Sequence, residues 1–508
     1  MAIEVAAAGR QAADALAPAA AALEHDAGMD AMPQVVAGLA AAAPALAESE
    51  ARLARAAVLR SEVQGPLHPR LAGLLARVDR LLPLAQAGLQ AAQAAPALLG
   101  QDGPRTYLIL AQNNHELRPT GGFISGAGHV RLAEGRITDL RLIDSYSVDN
   151  WQQPHPPAPL PLSEQMGAQL LTLRDSNWSP DFPETADVAR SLYAQDQGVA
   201  TDGAIALDLE AVRLLVDALG PLPIEGVAEP VTGQNAIAWM ERQWDAPSAS
   251  ETTVETGAAE WWTKRKDFMG ELVGAALARL ERGAAPAAGL DVPALARAAL
   301  QMLEGRHLQI SVDDPALTRL LIERGWDGGL RPPSGSDFLA VVDANVGFNK
   351  ANAAVQPAID YRVVAEEGGL IATATVTFTH TAPPGREQVC DRTPRYGESY
   401  AEMVQRCYWA YLRIYAPGGS ELLDIDGLKK PLSEVGERGT AVFAGHFVLP
   451  PSQQHVVTVR YRLPADLAQP YRLFVRKQAG TFAPPLHVSI AACRWDTELS
   501  RDRAFTCP

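Results

Sequence analysis

The polar residues best suited to chemistry are concentrated in one stretch, Gln112-Asn113-Asn114-His115-Glu116-Leu117-Arg118-Pro119-Thr120-Gly121-Gly122-Phe123. A guanidinium presents parallel donors that match a phosphate or carboxylate, so Arg118 reads as an anion ligand. Asn113 and Asn114 can orient oxygens beside it, and Gly121 and Gly122, lacking Cβ atoms, let backbone N–H groups approach a ligand closely. The competing reading is a buried polar turn in which the asparagines cap strand ends and Arg118 pairs with Glu116 or Asp144. His115 is the only histidine beside these motifs, and an imidazole in a polar loop is more often exposed than catalytic.

A second stretch is Arg174-Asp175-Ser176-Asn177-Trp178-Ser179-Pro180-Asp181-Phe182-Pro183. Trp178 and Phe182 would anchor it, Arg174 adds a second cation, and Asp175 and Asp181 could hold a divalent ion through oxygen ligands. The alternative is a helix entry, with Pro183 in the first turn and Asp181 or Ser179 as the cap. Asp144, in Asp144-Ser145-Tyr146, is a further candidate metal ligand or general base at a strand end, a place where carboxylates are more often simply solvated. Asp202 and Asp208 bracket a short apolar run and read as structural. The chain carries no phosphate loop of the Gx4GK[ST] type, no GxSxG elbow, no HExxH and no GxGxxG after a strand, so the common nucleotide-binding and hydrolase readings lose support.

The elements that position these stretches follow from periodicity. The run Tyr107-Leu108-Ile109-Leu110-Ala111 suits a strand covered on both faces, central in its sheet. Gly122 to His129, Ile137 to Ile143 and Gly203 to Leu207 are further strand candidates, interleaved with helical patterns at Glu184 to Gln195 and Glu210 to Leu219. That alternation predicts a mixed α/β sheet, with ligand groups on the turns after its strands. The segment from Ala236 to Gly325 reads as mostly helical, with a polar loop at Asp245 to Thr256. Before the sheet lies an alanine-rich region whose Leu71, Leu74, Leu75, Val78, Leu81 and Leu82 form one helical stripe, divided near Gly28, Pro33, Gly65 and Pro69 into two or three helices. It reads as a stalk or spacer of hairpin or bundle form, with a possible protein partner, because alanines bury little area each.

After the linker Gly328 to Gly335 the pattern turns to period two. Ala372, Ala374, Val376 and Phe378 alternate with threonines, and Val457, Val459, Tyr461 and Leu463 alternate with polar residues, as in half-buried antiparallel strands. A C-terminal antiparallel β-sandwich is expected, although Phe338 to Val342 could instead complete the preceding sheet. The expected division is residues 1–100 as helical stalk, 101–330 as α/β ligand-binding domain and 331–508 as β-sandwich domain.

Composition narrows the class. At 508 residues, 47% hydrophobic and 20% charged, the chain has several cores' worth of globular sequence. Its net charge of −15 disfavours nucleic acid or an anionic lipid surface as a nonspecific partner. The longest uncharged run near the start, Ala31 to Ala47, contains Pro33 and Pro44 and falls short of the roughly 20 apolar residues that cross a bilayer. Met1 leading straight into helical sequence would suit a chain cut just after an upstream anchor. All four cysteines, Cys390, Cys407, Cys493 and Cys507, lie in the strand-rich region with no CxxC pair. Three pairings are open; the local one, Cys390 with Cys407 and Cys493 with Cys507, would close two short loops at up to about 3 kcal/mol each. Paired cysteines point to an oxidising, extracytoplasmic compartment.

The stretches Tyr107 to Asn114, Glu116 to Phe123, Arg174 to Pro183 and Asp202 to Asp208 resemble domain-of-unknown-function family 4012, as do Asp343 to Lys350 and Lys477 to Thr481. The resemblance extends from about Arg105 to the end and implies a bacterial cell-envelope protein with its body outside the cell, held by an amino-terminal membrane anchor that these residues do not include. A weaker similarity reaches the LytR-CpsA-Psr phosphotransferases, which move glycopolymers from a lipid-linked pyrophosphate to the cell wall with magnesium. It rests on the strand order, the arginine-bearing turn and Leu215 to Gly220, while Thr120 and Gly121 after Arg118, and Ile143 before Asp144, depart from that family's arginine–aspartate pattern. This similarity implies Arg118 and Arg174 as pyrophosphate ligands and Asp144 or Asp175 as magnesium ligands. The leading expectation is therefore an extracytoplasmic protein whose α/β domain binds a phosphorylated or carbohydrate ligand. The rival is a noncatalytic structural or adhesive module, expected if Arg118 is sealed in a buried ion pair.

Overall fold

The computed structural model describes residues 1–25, 31–63, 65, 68–245, 266–282, 289–385, 389–393 and 399–508. Three helices come first: α1 (Ala2–His25), α2 (Met32–Ser61) and α3 (Pro69–Leu98). The middle helix packs on both neighbours, and Ala8, Ala42, Leu46, Leu53, Leu82 and Leu89 fill the seam. The leucine stripe of α3 is only partly used. Leu75 and Leu82 are buried, whereas Leu71, Leu74 and Leu81 remain 46, 58 and 62% exposed.

The α/β sheet is built from β1 (Arg105–Asn113), β2 (Phe123–Ala133), β3 (Arg136–Asp144), β4 (Gly203–Leu207) and β5 (Leu308–Val312), in the spatial order β3-β2-β1-β4-β5. Only the β1–β4 pair is parallel. The unbroken apolar run of β1 is explained by cover on both faces. Leu108 and Leu110 meet Phe182, Ala186, Ala189 and Tyr193 of helix Phe182–Gln197, while Tyr107 faces Ala87 of α3 together with Leu317, Leu321 and Trp326.

The strand β5 corrects the reading of Ala236 to Gly325 as mostly helical. That segment does contain helices Ala236–Trp244, Asp267–Arg282 and Val292–Glu304. Leu-Gln-Ile-Ser-Val, however, is too short for its period to be read, and its strand state comes from pairing with β4. Of the polar loop expected at Asp245 to Thr256, all but Asp245 lies outside the described residues.

From residue 337 onward two six-stranded sheets face each other. One contains β6 (Asp337–Asn345), β9 (Tyr408–Ala416), β11 (Lys429–Val435), β12 (Ala441–Leu449), β14 (Tyr471–Arg476) and β17 (Arg503–Cys507). The other contains β7 (Val355–Glu366), β8 (Gly369–His380), β10 (Glu421–Asp426), β13 (Gln454–Arg462), β15 (Pro485–Ile490) and β16 (Cys493–Glu498). Along β8 the apolar positions Ala372, Ala374, Val376 and Phe378 are buried between the sheets and the threonines lie outward, as the alternation requires. Phe338 to Val342 lies within β6, paired with β9 and β14, and so belongs to the sandwich. The sandwich is not purely antiparallel. Late in the chain β14 and β15 return to run parallel beside β6 and β7, one in each sheet. Disulfides join Cys390 to Cys407 and Cys493 to Cys507.

Candidate functional site

At the end of β1 the chain enters the polar turn, and its side chains are nearly all buried. Gln112 Oε1 accepts from Gly122 N at 2.8 Å and from Asn177 Nδ2 at 3.1 Å, which ties the first stretch to the second. Asn113 Oδ1 accepts from His115 N at 2.9 Å, and Asn114 Nδ2 donates to the Gly480 carbonyl at 2.9 Å. The glycine pair serves close backbone packing: a Cβ on Gly122 would stand 2.3 Å from the Asn113 carbonyl, and one on Gly480 would stand 1.9 Å from the Gly121 oxygen.

Arg118 is only 1% exposed. Its guanidinium donates to the Asn345 carbonyl, to Glu116 Oε1 at 3.3 Å and to Asp175 Oδ1 at 3.4 Å. Lys350 Nζ closes on the other oxygen of Glu116 at 2.6 Å. Burial pushes the Glu116 carboxyl up, but Lys350 and Arg118 outweigh it and hold the group below the ordinary range. Two buried cations and two carboxylates thus balance within one network. His115 Nδ1 contacts the Tyr400 hydroxyl at 2.8 Å, and burial, assisted by the Lys350 charge, lowers its pKa to about 4. It is a neutral imidazole at pH 7.

The second stretch places Arg174 and Asp175 side by side with opposite loyalties. Asp175 meets Arg118, whereas Arg174 pairs with Asp149 and lies 4.6 Å from the Tyr146 ring centroid. Asp144 accepts from Lys266 Nζ at 2.5 Å, and that ammonium is 5.3 Å from the same ring. Tyr146, 43% exposed, is the wet edge of the cluster. The Phe123 ring, 6.2 Å from Tyr146, carries Arg118 at 5.6 Å and Lys350 at 5.5 Å. Arg118, Asp144, Arg174 and Asp175 are therefore linked through two aromatic rings, with Lys266 and Lys350 as cations that the sequence reading missed.

The aspartates named as metal ligands do not share a centre. Asp144 meets Lys266, Asp175 meets Arg118, and fully buried Asp181 meets Arg438 Nε at 2.7 Å. Among the described residues, the group that can hold a cation is Asp149, His155 and Asp196, with ligand atoms within 4.8 Å of one another. His155 Nε2 lies 3.0 Å from Asp196 Oδ2, and its Nδ1 faces the Gln153 carbonyl at 3.1 Å. Burial pushes the Asp149 carboxyl up against the pull of Arg174. The only early signal for this group was proximity: Asp149 follows Tyr146 by three residues.

Trp178 packs on the sandwich, with Arg413 4.8 Å over its ring and donating to its carbonyl at 2.8 Å. Gln309 Nε2 donates to the Thr120 carbonyl at 2.7 Å, and Gln478 Nε2 to the Arg118 carbonyl at 3.3 Å. The two polar stretches, with Gln309 and Gln478, thus form a buried polar seam between the α/β sheet and the sandwich.

Residues 102–244 match the family model for protein of unknown function DUF4012. The DUF4012 match contains both polar stretches, Asp144 and the Asp149–His155–Asp196 group, and it ends with the helix Ala236–Trp244. It is shorter than the extent expected from the residues, which ran to the C terminus. The partners that seal the DUF4012 motifs, Asn345, Lys350, Gln478 and Gly480, lie beyond the matched segment. No curated protein matches the chain.

Proposed function

We propose that the chain is a noncatalytic structural module of the cell surface, in which the DUF4012 motifs lock the α/β sheet to the sandwich and the helical region engages a protein partner. The observation that carries this reading is the state of Arg118: 1% exposed, and neutralised by Glu116 and Asp175. Removing a buried ion's partners to seat a ligand is costly, so a network already in balance favours permanence over exchange. Two disulfides fit an extracellular protein, and no described helix is long and apolar enough to cross a membrane. Leu71, Leu74 and Leu81 on α3, with Val58 of α2 60% exposed, supply an apolar face for assembly.

A second reading has one observation in its favour. Arg174 and Lys266 flank the exposed ring of Tyr146, an arrangement that would suit a phosphorylated or carbohydrate ligand, as in a glycopolymer phosphotransferase of the LytR-CpsA-Psr kind. Magnesium, an oxygen-seeking ion, would take Asp149 and Asp196 there.

Titration with farnesyl pyrophosphate, with and without magnesium, separates the two. The structural reading expects no magnesium-dependent affinity in the parent protein and a lowered melting temperature in Arg118→Ala. Magnesium-dependent binding that is lost in Arg174→Ala, in a variant that melts like the parent, would overturn it.

A further inference from the structure

The loop that follows Asp149 folds back on the end of helix Phe182–Gln197. Gln195 Nε2 donates to the Pro154 carbonyl at 3.0 Å, and Gln197 Nε2 to the Val148 carbonyl at 2.6 Å. Asp149, His155 and Asp196 meet at this junction, and none of their three side chains has exposed surface.

The His155 ring faces an acceptor at both nitrogens. A backbone carbonyl can only accept, so the 3.1 Å contact with Gln153 O puts a hydrogen on Nδ1. The neutral ring then turns a bare lone pair on Nε2 toward Asp196 Oδ2 at 3.0 Å, and two acceptors so close need a cation between them. That cation is a proton or a metal ion. A proton on Nε2 serves Oδ2 alone, yet Asp196 Oδ1, also buried, has no hydrogen-bond partner among the described residues. A metal ion held by both oxygens engages that atom as well. A histidine that donates its other N–H to a backbone carbonyl, beside a carboxylate that is itself hydrogen-bonded, is the usual support of a metal. Asp149 meets the second condition through Leu173 N and Arg174, and Arg174 offsets one of the two carboxylate charges, which leaves one negative charge.

We propose that Asp149, His155 and Asp196 bind a structural zinc ion, with one oxygen from Asp149, Nε2 from His155 and both oxygens from Asp196. Zinc bonds of about 2.0–2.2 Å set tetrahedral ligand atoms roughly 3.3 Å apart, close to the separation of Nε2 and Oδ2. Asp149, within 4.8 Å of the other two, draws in. No opening to solvent is required, because a structural ion is enclosed by its ligands and is bound as the chain folds around it. The same enclosure disfavours magnesium, which keeps several of its waters. The ion pins the loop to the helix, and with it Trp151, 62% exposed, whose ring lies 5.7 Å from that of His155. This lock extends the structural reading and does not depend on the Arg118 network.

The test strips the full chain with EDTA and titrates it with zinc sulfate. One zinc per chain should bind with micromolar affinity or better, and the melting temperature should rise by about 5 °C at a hundredfold excess over Kd. Cobalt(II) in its place should show the visible absorption of a four-coordinate ion. His155→Gln should abolish that spectrum and weaken zinc binding about a hundredfold or more, since even outer-shell partners carry about 10–100-fold. Should His155→Gln fold poorly, Asp196→Asn, which keeps the side-chain shape, gives the same readouts. Zinc uptake unchanged in both variants, magnesium bound as tightly as zinc, or no uptake below millimolar zinc would each overturn the proposal, the last leaving a proton on Nε2. None of these outcomes alters the melting of Arg118→Ala, so the zinc site and the structural reading fail separately.

Discussion

Lys350 Nζ lies 2.6 Å from Glu116 Oε2, and both side chains are buried. The pair spans the seam between the α/β sheet and the sandwich, and Arg118 shares the same carboxylate. Breaking a buried pair by removing one partner leaves an uncompensated charge, at a cost of about 3–5 kcal/mol. Lys350→Met should show a loss of that order by urea denaturation, and adding Glu116→Gln should recover part of it. A single-variant loss under about 0.5 kcal/mol, the scale of an ordinary surface change, would refute the structural role of the network.

The close approach of Gly480 to Gly121 gives a second prediction. Gly480 has φ +77°, and a Cβ there would stand 1.9 Å from the Gly121 oxygen. Gly480→Ala should therefore separate the polar turn from the sandwich, where Thr120 pairs with Ala479. Hydrogen exchange should report faster exchange at the seam while the far end of the sandwich keeps its protection. Unchanged exchange at the seam would mean that the contact does not hold the two parts together.

The disulfides give a third. Cys493 and Cys507 enclose a loop of sequence separation 14 that joins the edge strands β16 and β17 of opposite sheets. Replacing both with alanine frees that loop in the unfolded chain, a loss of about 3 kcal/mol in the entropy model. Denaturation of the double variant beside the parent measures it, and equal midpoints would show that the bridge contributes nothing.

The fold was legible where periodicity is strong. The threonine alternation of β8 and the continuous apolar run of β1 each announce their burial, because a strand shows alternate residues to opposite faces and a doubly covered strand shows none to water. Strand β5 was hidden, since five residues carry little period and its state is set by β4, about a hundred positions away. The polar turn was legible as unusual but not as to use. The residues that complete it, Asn345, Lys350, Gln478 and Gly480, lie from 227 to 366 positions downstream of their partners, and no local rule connects them. Glycines in such a turn fit ligand approach and backbone packing equally well until the neighbouring chain is seen. The same holds for Asp149, His155 and Asp196, whose convergence depends on a loop folding back on helix Phe182–Gln197.

Asp337 gives a prediction in which pH separates burial from pairing. Its carboxylate accepts from the hydroxyls of Tyr361 and Tyr471 and from Phe338 N, with no cation among these partners. Burial raises its pKa to about 6 against the lowering by the tyrosines. An unfolded chain releases that proton near pH 4. Between those values the unfolded state is deprotonated while the folded state keeps the proton, so stability is greatest below pH 4 and falls as pH rises through 6. The difference amounts to about 3 kcal/mol for a shift of roughly two pH units. Asparagine cannot titrate, so Asp337→Asn should lack this component. The stability difference between parent and variant, followed by denaturation from pH 4 to pH 7, should shift against the parent by that amount as pH rises. A difference independent of pH would mean that Asp337 is ionised throughout the range, and that the two tyrosines outweigh its burial.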